Sequence, residues 1–361
     1  MRIGLIVNPY AGLGGPLALK GSDGSLAEQA LAKGVAPVAP PRATRALSGL
    51  TGIDLITASG PLGEQAARAA GLSPRIVHKA PDRPAAVDTS HAASALCDAG
   101  IDLLLFAGGD GTACDLIGHT GDVPVLGVPA GVKMHSAVFA TSPAAAAAML
   151  QDFLRGRPLT PSPAAVITAR PHGTPEVRGH LPAPASPRRQ GAKAISTVTA
   201  DADLSAACIH TAHELADCPL ALIGTGATML ATKQALAGDG TLLGVDAYAH
   251  GRLIARDADE QRLWQLVRTA AQPTRTRLLL GVVGGQGFLL GRGNQMISPR
   301  VLKTLAPEAI TVLASADKLA ALDGGQLLVD SGDEALDQAL SGTISVRTGP
   351  RRRMVMAVDA A

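Results

Sequence analysis

Residues 101–112 read IDLLLFAGGDGT, and this stretch decides the fold class of the chain. The apolar run from Ile101 to Ala107 predicts a strand that is buried on both faces of a sheet. The glycines that follow predict a tight turn, and we predict a helix over residues 113–117, directly after Thr112. A strand, a turn and a helix in this order form the repeating unit of an α/β domain.

The segments on either side repeat the same order of strand and helix. Strands are predicted at 2–7, 54–58 and 123–128, and helices at 62–70, 88–99 and 144–155. Alternation with short connections is typical of a parallel, doubly wound sheet. Residues 11–25 are rich in glycine and have no period, so they predict a long loop at the carboxyl end of the first strand. Such loops carry the sites of α/β folds.

The chain changes character after the helix at 144–155. Residues 156–194 are rich in proline and predict an irregular connection, so we place the domain boundary near 157, with domains over 1–157 and 158–361. Apolar runs between glycine-rich turns predict a β-rich second domain whose chain end is a candidate to pack back on the first domain. The predicted strands are 220–223, 242–245, 278–283, 310–313, 327–329 and 344–346, and the predicted helices are near 227–237 and 258–270.

Composition narrows the class of protein. At 361 residues the chain is long enough for two domains, and 47% hydrophobic against 17% charged residues predicts a globular fold. Aromatic residues are only 2% and the net charge is +2, which disfavours nucleic-acid binding. No segment has the pattern of a signal peptide or a membrane span, so we expect no membrane partner. Four cysteines without a CxxC pair favour reduced thiols and a cytoplasmic protein.

The glycine-rich turn has the chemistry that phosphoryl transfer needs. Gly108 and Gly109 lack Cβ atoms, so a triphosphate can approach the backbone, and the N–H groups of the helix after Thr112 favour bound phosphate. Asp110 places a carboxylate beside this anion hole, where it can accept a proton from an attacking hydroxyl or hold Mg²⁺. The alternative is an ordinary turn in which Asp110 only caps a helix.

A second candidate loop, residues 131–136, follows the strand at 123–128. Lys133 is a candidate phosphate ligand, and His135 or Ser136 can bond a ribose. The alternative is a solvated lysine and a helix-capping serine, and the two interpretations are about equally supported.

The second domain contributes weaker candidates for nucleotide binding. The loop after the strand at 220–223 offers N–H groups to an anion, and later loops offer an aspartate for a ribose, an arginine for phosphate oxygens and an asparagine. These candidates are Gly224, Thr225, Gly226, Thr228, Asp246, Arg292 and Asn294. For the glycine loop a tight turn with a threonine cap is about as well supported, and a strand-end aspartate is more often a turn former.

Five potential metal ligands lie within eleven residues. They are Cys208, His210, His213, Glu214 and Cys218. The order HTAHE is not the zinc pattern HExxH and no CxxC supports it, so we predict no metal site there.

Two motifs carry a resemblance to a known superfamily. The strand that ends in GGDGT, together with Asn8-Pro9-x-Ala11-Gly12 after the first strand, resembles NAD kinases, diacylglycerol kinases and sphingosine kinases. Four longer stretches are similar to the ATP-NAD kinase family, and within it to the subgroup that includes the acetoin-catabolism protein X. They are RIGLIVNPYAGLGG, GVPAGVKMHSAVFATSP, TLLGVDAYAHGRLIARDADE and GGQGFLLGRGNQMISP, and the resemblance runs from residue 1 to about 350.

The resemblance implies a Rossmann-like N-terminal domain with a parallel sheet and a β-rich C-terminal domain. It implies transfer of the ATP γ-phosphate, with Mg²⁺, to the 2′-hydroxyl of the NAD adenosine ribose, in a homo-oligomer whose partners are small nucleotides. Asp110 matches the proton acceptor of the superfamily. The positions that match its phosphate loop and its first-strand loop are Gly108, Gly109, Gly111, Thr112, Asn8 and Gly12.

One departure leaves the phosphate acceptor open. NAD kinases usually carry an asparagine followed by Glu or Asp that holds the nicotinamide nucleotide, whereas the asparagines here are Asn8 and Asn294, neither followed by an acid. A kinase of a lipid or small polyol and a non-catalytic nucleotide sensor therefore stand beside NAD kinase as hypotheses. The chain has no basic amphipathic stretch of the kind that would bring a lipid kinase to a membrane.

Overall fold

The computed structural model describes residues 1–22, 24–158, 160–168, 175–193, 201–270 and 272–361. The chain forms two compact units. The first comprises Met1–Gly14 and Gly21–Lys193, and the second comprises Gly15–Lys20 and Ala194–Ala361. The segments 160–168 and 175–193 thus group with the first unit, whereas the sequence placed the domain boundary near 157.

A five-stranded parallel sheet lies at the centre of the first unit, in the order β3-β2-β1-β4-β5. Its strands are β1 (Arg2–Val7), β2 (Asp54–Ala58), β3 (Arg75–His78), β4 (Leu103–Gly108) and β5 (Val125–Pro129). The helices of this unit are α1 (Ser25–Ala32), α2 (Ala39–Leu47), α3 (Glu64–Ala69), α4 (Ala86–Asp98), α5 (Asp110–Asp115) and α6 (Pro143–Leu154). The prediction of a parallel α/β sheet is confirmed, and the central pair β1 and β4 brings Asn8 beside the GGDGT turn.

The sheet is stable because successive residues of its strands face two separate apolar layers. Leu5 and Leu105 belong to one buried cluster, whereas Ile6 and Phe106 belong to the other. Both faces are therefore covered, as parallel sheets require. This burial on both sides explains why the central strands are continuous apolar runs in the sequence.

The proline-rich segment after α6 forms a hairpin, so the prediction of an irregular connection there is wrong. Strand β6 (Pro161–Thr168) pairs antiparallel with β7 (Glu176–Pro184). Val166 and Leu181 pack into the apolar cluster that contains Phe106. The prolines lie opposite one another at one end of the hairpin, and both strands of a two-stranded sheet are edge strands, which tolerate a residue without an N–H group. In the sequence these prolines conceal the alternating pattern of a strand.

The second unit is built on an eight-stranded mixed sheet in the order β10-β9-β8-β11-β12-β14-β15-β13. Its strands are β8 (Leu220–Ile223), β9 (Asp246–Ala249), β10 (Arg252–Ala255), β11 (Thr276–Gly281), β12 (Ile310–Leu313), β13 (Gln326–Val329), β14 (Gly342–Arg347) and β15 (Arg353–Ala360). Its helices are α7 (Ala202–Leu215), α8 (Ala227–Ala237), α9 (Glu260–Arg268), α10 (Pro299–Leu302), α11 (Ala316–Ala320) and α12 (Glu334–Leu340). A β-rich second domain is therefore confirmed.

The predicted strand at 242–245 is wrong, because the carbonyls of this segment bind groups other than a neighbouring strand, among them the ammonium of a buried lysine. Lys233 is fully buried, and its ammonium donates to the carbonyls of Thr241 and Gly244 at 2.8 Å and to Asp246 at 2.9 Å. The carbonyl groups of this loop therefore point at a side chain. The strand β9 begins only at Asp246.

A second lysine extends this network to the segment Gly15–Lys20. Lys20 donates to Asp257 at 2.6 Å and to the carbonyl of Leu243 at 3.2 Å, while the Asp257 N–H donates to Asp246 at 2.7 Å. Two lysines and two aspartates thus fix one corner of the second unit. Pairing of this kind is what permits charges to be buried.

Across the described ranges, every helix is too short or too polar to cross a membrane.

Gly12 provides a test of the loop that follows β1. It has φ +85°, and a Cβ atom there would overlap the carbonyl oxygen of Ala130. Replacement of Gly12 by Ala should lower the free energy of unfolding of the first unit by about 2–5 kcal/mol, from backbone strain and overpacking together. Gly34→Ala is the matched control, because Gly34 has φ +75° but open space around it, and should cost about 1–2 kcal/mol. Calorimetric unfolding that gave equal losses for both variants would contradict the packing.

Candidate functional site

The GGDGT turn leads into α5 earlier than the sequence predicted. Asp110 is the first residue of α5, so Thr112 lies inside its first turn rather than before a helix at 113–117. The N–H groups of Asp110, Gly111 and Thr112 donate no hydrogen bond to any other described residue. These three donors at the carboxyl end of β4 are therefore available to an anion.

The glycines of the turn are required by close packing, which is against the Thr112 side chain at Gly108 and against backbone at Gly109. A Cβ atom at Gly108 would lie 2.5 Å from the Thr112 hydroxyl oxygen, and one at Gly109 would lie 2.9 Å from the Cα of Gly131. A Cβ atom at Gly131 would lie 2.7 Å from the Cα of Gly109. The loop after β4 and the loop after β5 therefore meet with no side chain between them.

This close approach lets the loop after β5 hold the Asp110 carboxylate. Oδ2 accepts a hydrogen bond from the His135 N–H at 2.8 Å, and Oδ1 accepts from the Ser136 N–H at 2.9 Å. The Ser136 hydroxyl donates to Oδ1 at 2.5 Å and itself accepts from the Ile167 N–H at 2.9 Å. A carboxylate has about four acceptor positions, of which three are occupied here. The remaining position lies on Oδ2.

Two opposing effects act on the ionisation of the Asp110 carboxyl: burial disfavours the anion, whereas hydrogen bonds and a nearby positive charge favour it. Burial raises the pKa of Asp110 to about 6, although the Ser136 hydroxyl, the two N–H groups and the Lys193 ammonium all favour the anion. Burial also lowers the pKa of His135 to about 4, with the charges of Lys193 and Lys133 acting in the same direction. At neutral pH the site therefore contains a carboxylate close to its titration range and an uncharged imidazole.

The structure brings the other candidates of the first unit to the same edge of the sheet. The Asn8 amide donates to the Thr112 hydroxyl at 2.9 Å, which ties the end of β1 to the GGDGT turn. Gly12 packs against the carbonyl of Ala130, directly before the loop that holds Asp110. Lys133 is half-buried in that loop. Asn8, Gly12, Lys133 and the GGDGT residues are thus neighbours, and their roles stay predictions.

In the second unit, the candidates after β8 form a compact turn. A Cβ atom at Gly224 would lie 2.9 Å from the carbonyl oxygen of Leu279, so glycine is needed there. The Gly226 N–H donates to the carbonyl of Leu242 at 2.8 Å and is not available to an anion. Thr225 and Thr228 flank it at the start of α8, where the Thr228 carbonyl accepts from Thr232.

Three further candidates of the second unit have internal partners. Asp246 is fully buried and accepts from Lys233 and Thr241, which accounts for its side chain without a ribose. Arg292 is an ion-pair partner of Asp330 at 2.9 Å rather than an exposed fork for phosphate. Asn294 bonds the Gly291 N–H and the Leu289 carbonyl at 2.9 and 2.8 Å, and so shapes its own loop. The geometry favours structural roles for all three.

The cluster of potential metal ligands around α7 is divided among other contacts. Glu214 accepts from Arg347 at 2.7 and 3.0 Å and lies 3.3 Å from His210, while Cys208 and Cys218 are buried in the core. Within the described ranges, no three His, Cys, Asp or Glu side chains converge as a metal site.

Sequence reasoning missed three residues that stand behind Asp110. Ser136 was considered as a ribose ligand or a helix cap, whereas its hydroxyl bonds Asp110 and Ile167. Gln190 and Lys193 lie in the segment predicted to be irregular, yet they contact residues 134–136. No spacing or periodicity marks these two, because the contact joins residues more than fifty positions apart.

The protonation of Asp110 can be measured directly. We expect its carboxyl to titrate with a pKa of about 6, above the ordinary aspartate value of 3.8, because burial outweighs its hydrogen bonds. The measurement is a ¹³C NMR titration of protein labelled at aspartate carboxyl carbons, with the resonance assigned by its loss in Asp110→Asn. A titration at or below the ordinary value would contradict the burial of this group.

Comparison with known proteins agrees with this arrangement of two units. The model of the ATP-NAD kinase N-terminal domain matches residues 3–157, and the model of the ATP-NAD kinase C-terminal domain matches residues 220–358. No curated protein and no solved structure was found to match the chain. The two domain models together span most of the 361 residues and fall in the order of the family. The chain therefore belongs to the ATP-NAD kinase family.

Proposed function

We propose that the protein transfers the γ-phosphoryl group of ATP to the 2′-hydroxyl of the NAD adenosine ribose, giving NADP. The observation that carries this proposal is the Asp110 carboxylate, held at the GGDGT turn with one acceptor position of Oδ2 unoccupied. Membership in the ATP-NAD kinase family supports NAD as the acceptor. Phosphoryl transfer is supported by the position of this carboxylate, a potential base, beside N–H groups that can bind the phosphates of a nucleotide.

The loop residues fit the phosphates of a nucleotide. The N–H groups of Asp110, Gly111 and Thr112 have no other acceptor among the described residues, and glycine at 108 and 109 keeps side chains away from them. Lys133 adds a positive charge from the neighbouring loop. When bound, ATP with Mg²⁺ supplies the phosphoryl group and neutralises part of its charge. Since Mg²⁺ is commonly held through substrate phosphates and water, a dedicated cluster of protein ligands is not required.

Asp110 would act as the proton acceptor. Its three hydrogen bonds fix the plane of the carboxylate. The open position on Oδ2 takes the proton of the ribose hydroxyl as that oxygen bonds to the γ-phosphorus, and the bond from this phosphorus to ADP, the leaving group, breaks. The raised pKa makes Asp110 a stronger base than an exposed aspartate, while most molecules remain deprotonated at pH 7. Catalysis then rests on positioning, on proton transfer and on stabilisation of charge.

The proposal is tested by incubating the purified protein with ATP, Mg²⁺ and NAD and following NADP with an NADP-specific dehydrogenase. We expect NADP formation by the wild-type protein and a loss of at least about 100-fold in kcat for Asp110→Asn, because the amide cannot accept the proton. The exposed Asp122 lies in the same unit, and Asp122→Asn should retain full activity.

The amide of Asp110→Asn places a donor near the N–H groups of His135 and Ser136, so ATP binding and thermal unfolding are measured on the same samples. Variants that bind ATP normally and lose turnover support a role in chemistry. Wild-type protein that binds NAD and ATP without forming NADP would exclude the NAD kinase reaction and favour a nucleotide sensor. Phosphorylation of a lipid or polyol in place of NAD would change the acceptor and retain the role of Asp110.

A further inference from the structure

The segment Gln190–Lys193 lies between the two ranges that match the family models, which end at residue 157 and resume at residue 220. Nevertheless it packs against the loop that binds the Asp110 carboxylate. The Gln190 side-chain amide donates to the carbonyl of Ser136 at 2.9 Å and lies 3.5 Å from the carbonyl of Met134. The Lys193 backbone N–H donates to the carbonyl of His135 at 3.0 Å.

These contacts reach the two peptide groups whose N–H groups bind Asp110. The Met134 carbonyl and the His135 N–H belong to one peptide group, and the His135 carbonyl and the Ser136 N–H belong to the next. Each peptide group therefore receives a donor from the segment on its carbonyl side and donates to a carboxylate oxygen of Asp110 on its N–H side. A hydrogen bond accepted by a carbonyl polarises its peptide group and strengthens the N–H as a donor.

The Gln190 side chain is well suited to this task. It is only 3% exposed, so its amide donates inside a dry environment where hydrogen bonds are strong. Its 2.9 Å bond to the Ser136 carbonyl holds the backbone directly after the Ser136 N–H, and its approach to the Met134 carbonyl reaches the peptide group that carries the His135 N–H. The backbone of the segment is anchored independently, because the Gln190 N–H donates to the carbonyl of Phe139 at 2.9 Å.

We propose that Gln190 is a positioning residue for Asp110: it holds the backbone of residues 134–136 in place and polarises the peptide group that carries the His135 N–H. The proposal rests on the proposed function only for the consequence in catalysis, since the effect on the carboxylate exists with or without a substrate. The segment 190–193 is then part of the active site of this chain, although it lies outside the matched family ranges.

The test replaces Gln190 with Met, which is similar in size but apolar and donates no hydrogen bond. Weaker N–H bonds stabilise the anion less, so the pKa of Asp110 should rise by about 0.4–1 unit in the ¹³C titration. In the kinase assay, kcat at pH 6 should fall by about 2-fold to 5-fold, because a smaller fraction of Asp110 is deprotonated, and the acid limb of the pH profile should move upward by the same interval as the pKa. The KM for ATP should stay within about 2-fold, because the phosphate loop is not altered.

Among the described residues, the charge of Lys193 acts on Asp110, the charges of Lys193 and Lys133 act on the neighbouring His135, and the charge of Asp110 acts on Cys114. None of them is changed by this substitution. Arg188→Gln is the matched control, because Arg188 lies two residues before the segment but is exposed and pairs with Asp152 at 3.0 Å. It should leave both the titration and the kinetics unchanged.

If Gln190→Met does not fold, Gln190→Glu provides the second variant. It keeps the shape, loses the donors and adds a negative charge, so it should raise the pKa of Asp110 further than Met does. A folded Gln190 variant in which the carboxyl of Asp110 titrates as in the wild-type protein would overturn the proposal. Failure of NADP formation by the wild-type protein would overturn the proposed function instead, and the titration would still decide the role of Gln190.

Discussion

A carboxylate can be buried in this protein only where hydrogen-bond donors replace the water that it loses. Asp110 is 8% exposed, and its donors come from the loop after β5, not from its own helix. That loop can reach the carboxylate only because Gly109 and Gly131 allow the two backbones to meet. The order of the strands follows the same requirement, since β4 and β5 are neighbours in the parallel sheet. The position of the base is thus a property of the sheet as a whole.

The donors of Asp110 are themselves supported by a second layer that comes from distant sequence. The hairpin of β6 and β7 supplies the Ile167 N–H to the Ser136 hydroxyl, and the segment after the hairpin supplies Gln190 to the carbonyls of residues 134 and 136. Such layered support is how proteins hold a reactive group in one geometry. In this chain the support comes from residues 160–193, between the ranges that match the family models, and it packs with the first unit.

Much of the first unit could be predicted because its signals are local. Residues 2–7 and 54–58 are strands within the bounds expected from their apolar runs, and GGDGT marks the end of β4. The hairpin could not be predicted, since its prolines conceal the alternation and its pairing partner determines it. The segment 242–245 has the composition of a strand, but its Gly244 carbonyl accepts from the buried Lys233 and its Leu243 carbonyl from Lys20, and contacts with lysine side chains leave no periodic signal.

The residues of the candidate site also fall into those that the sequence could predict and those that it could not. The residues of the GGDGT turn were accessible to sequence reasoning because glycine, aspartate and threonine have distinct chemistry at a strand end. Ser136 and Gln190 were not, because a serine or a glutamine gains its role only from the groups it meets. Asp246 and Arg292 have the chemistry of ligand-binding residues, yet each is paired with an opposite charge of its own unit. Burial and partners, rather than residue type, decide which polar side chains face a ligand.

The central claim is that the ionisation of Asp110 governs the chemical step. It is tested most directly by the rate constant of phosphoryl transfer from ATP to NAD in a single turnover, measured across pH with the protein in excess. We predict that this rate constant falls as the pH drops through about 6, following one ionisation that coincides with the titration of the Asp110 carboxyl. A rate constant that stays level through that ionisation would contradict the assignment of Asp110 as the proton acceptor.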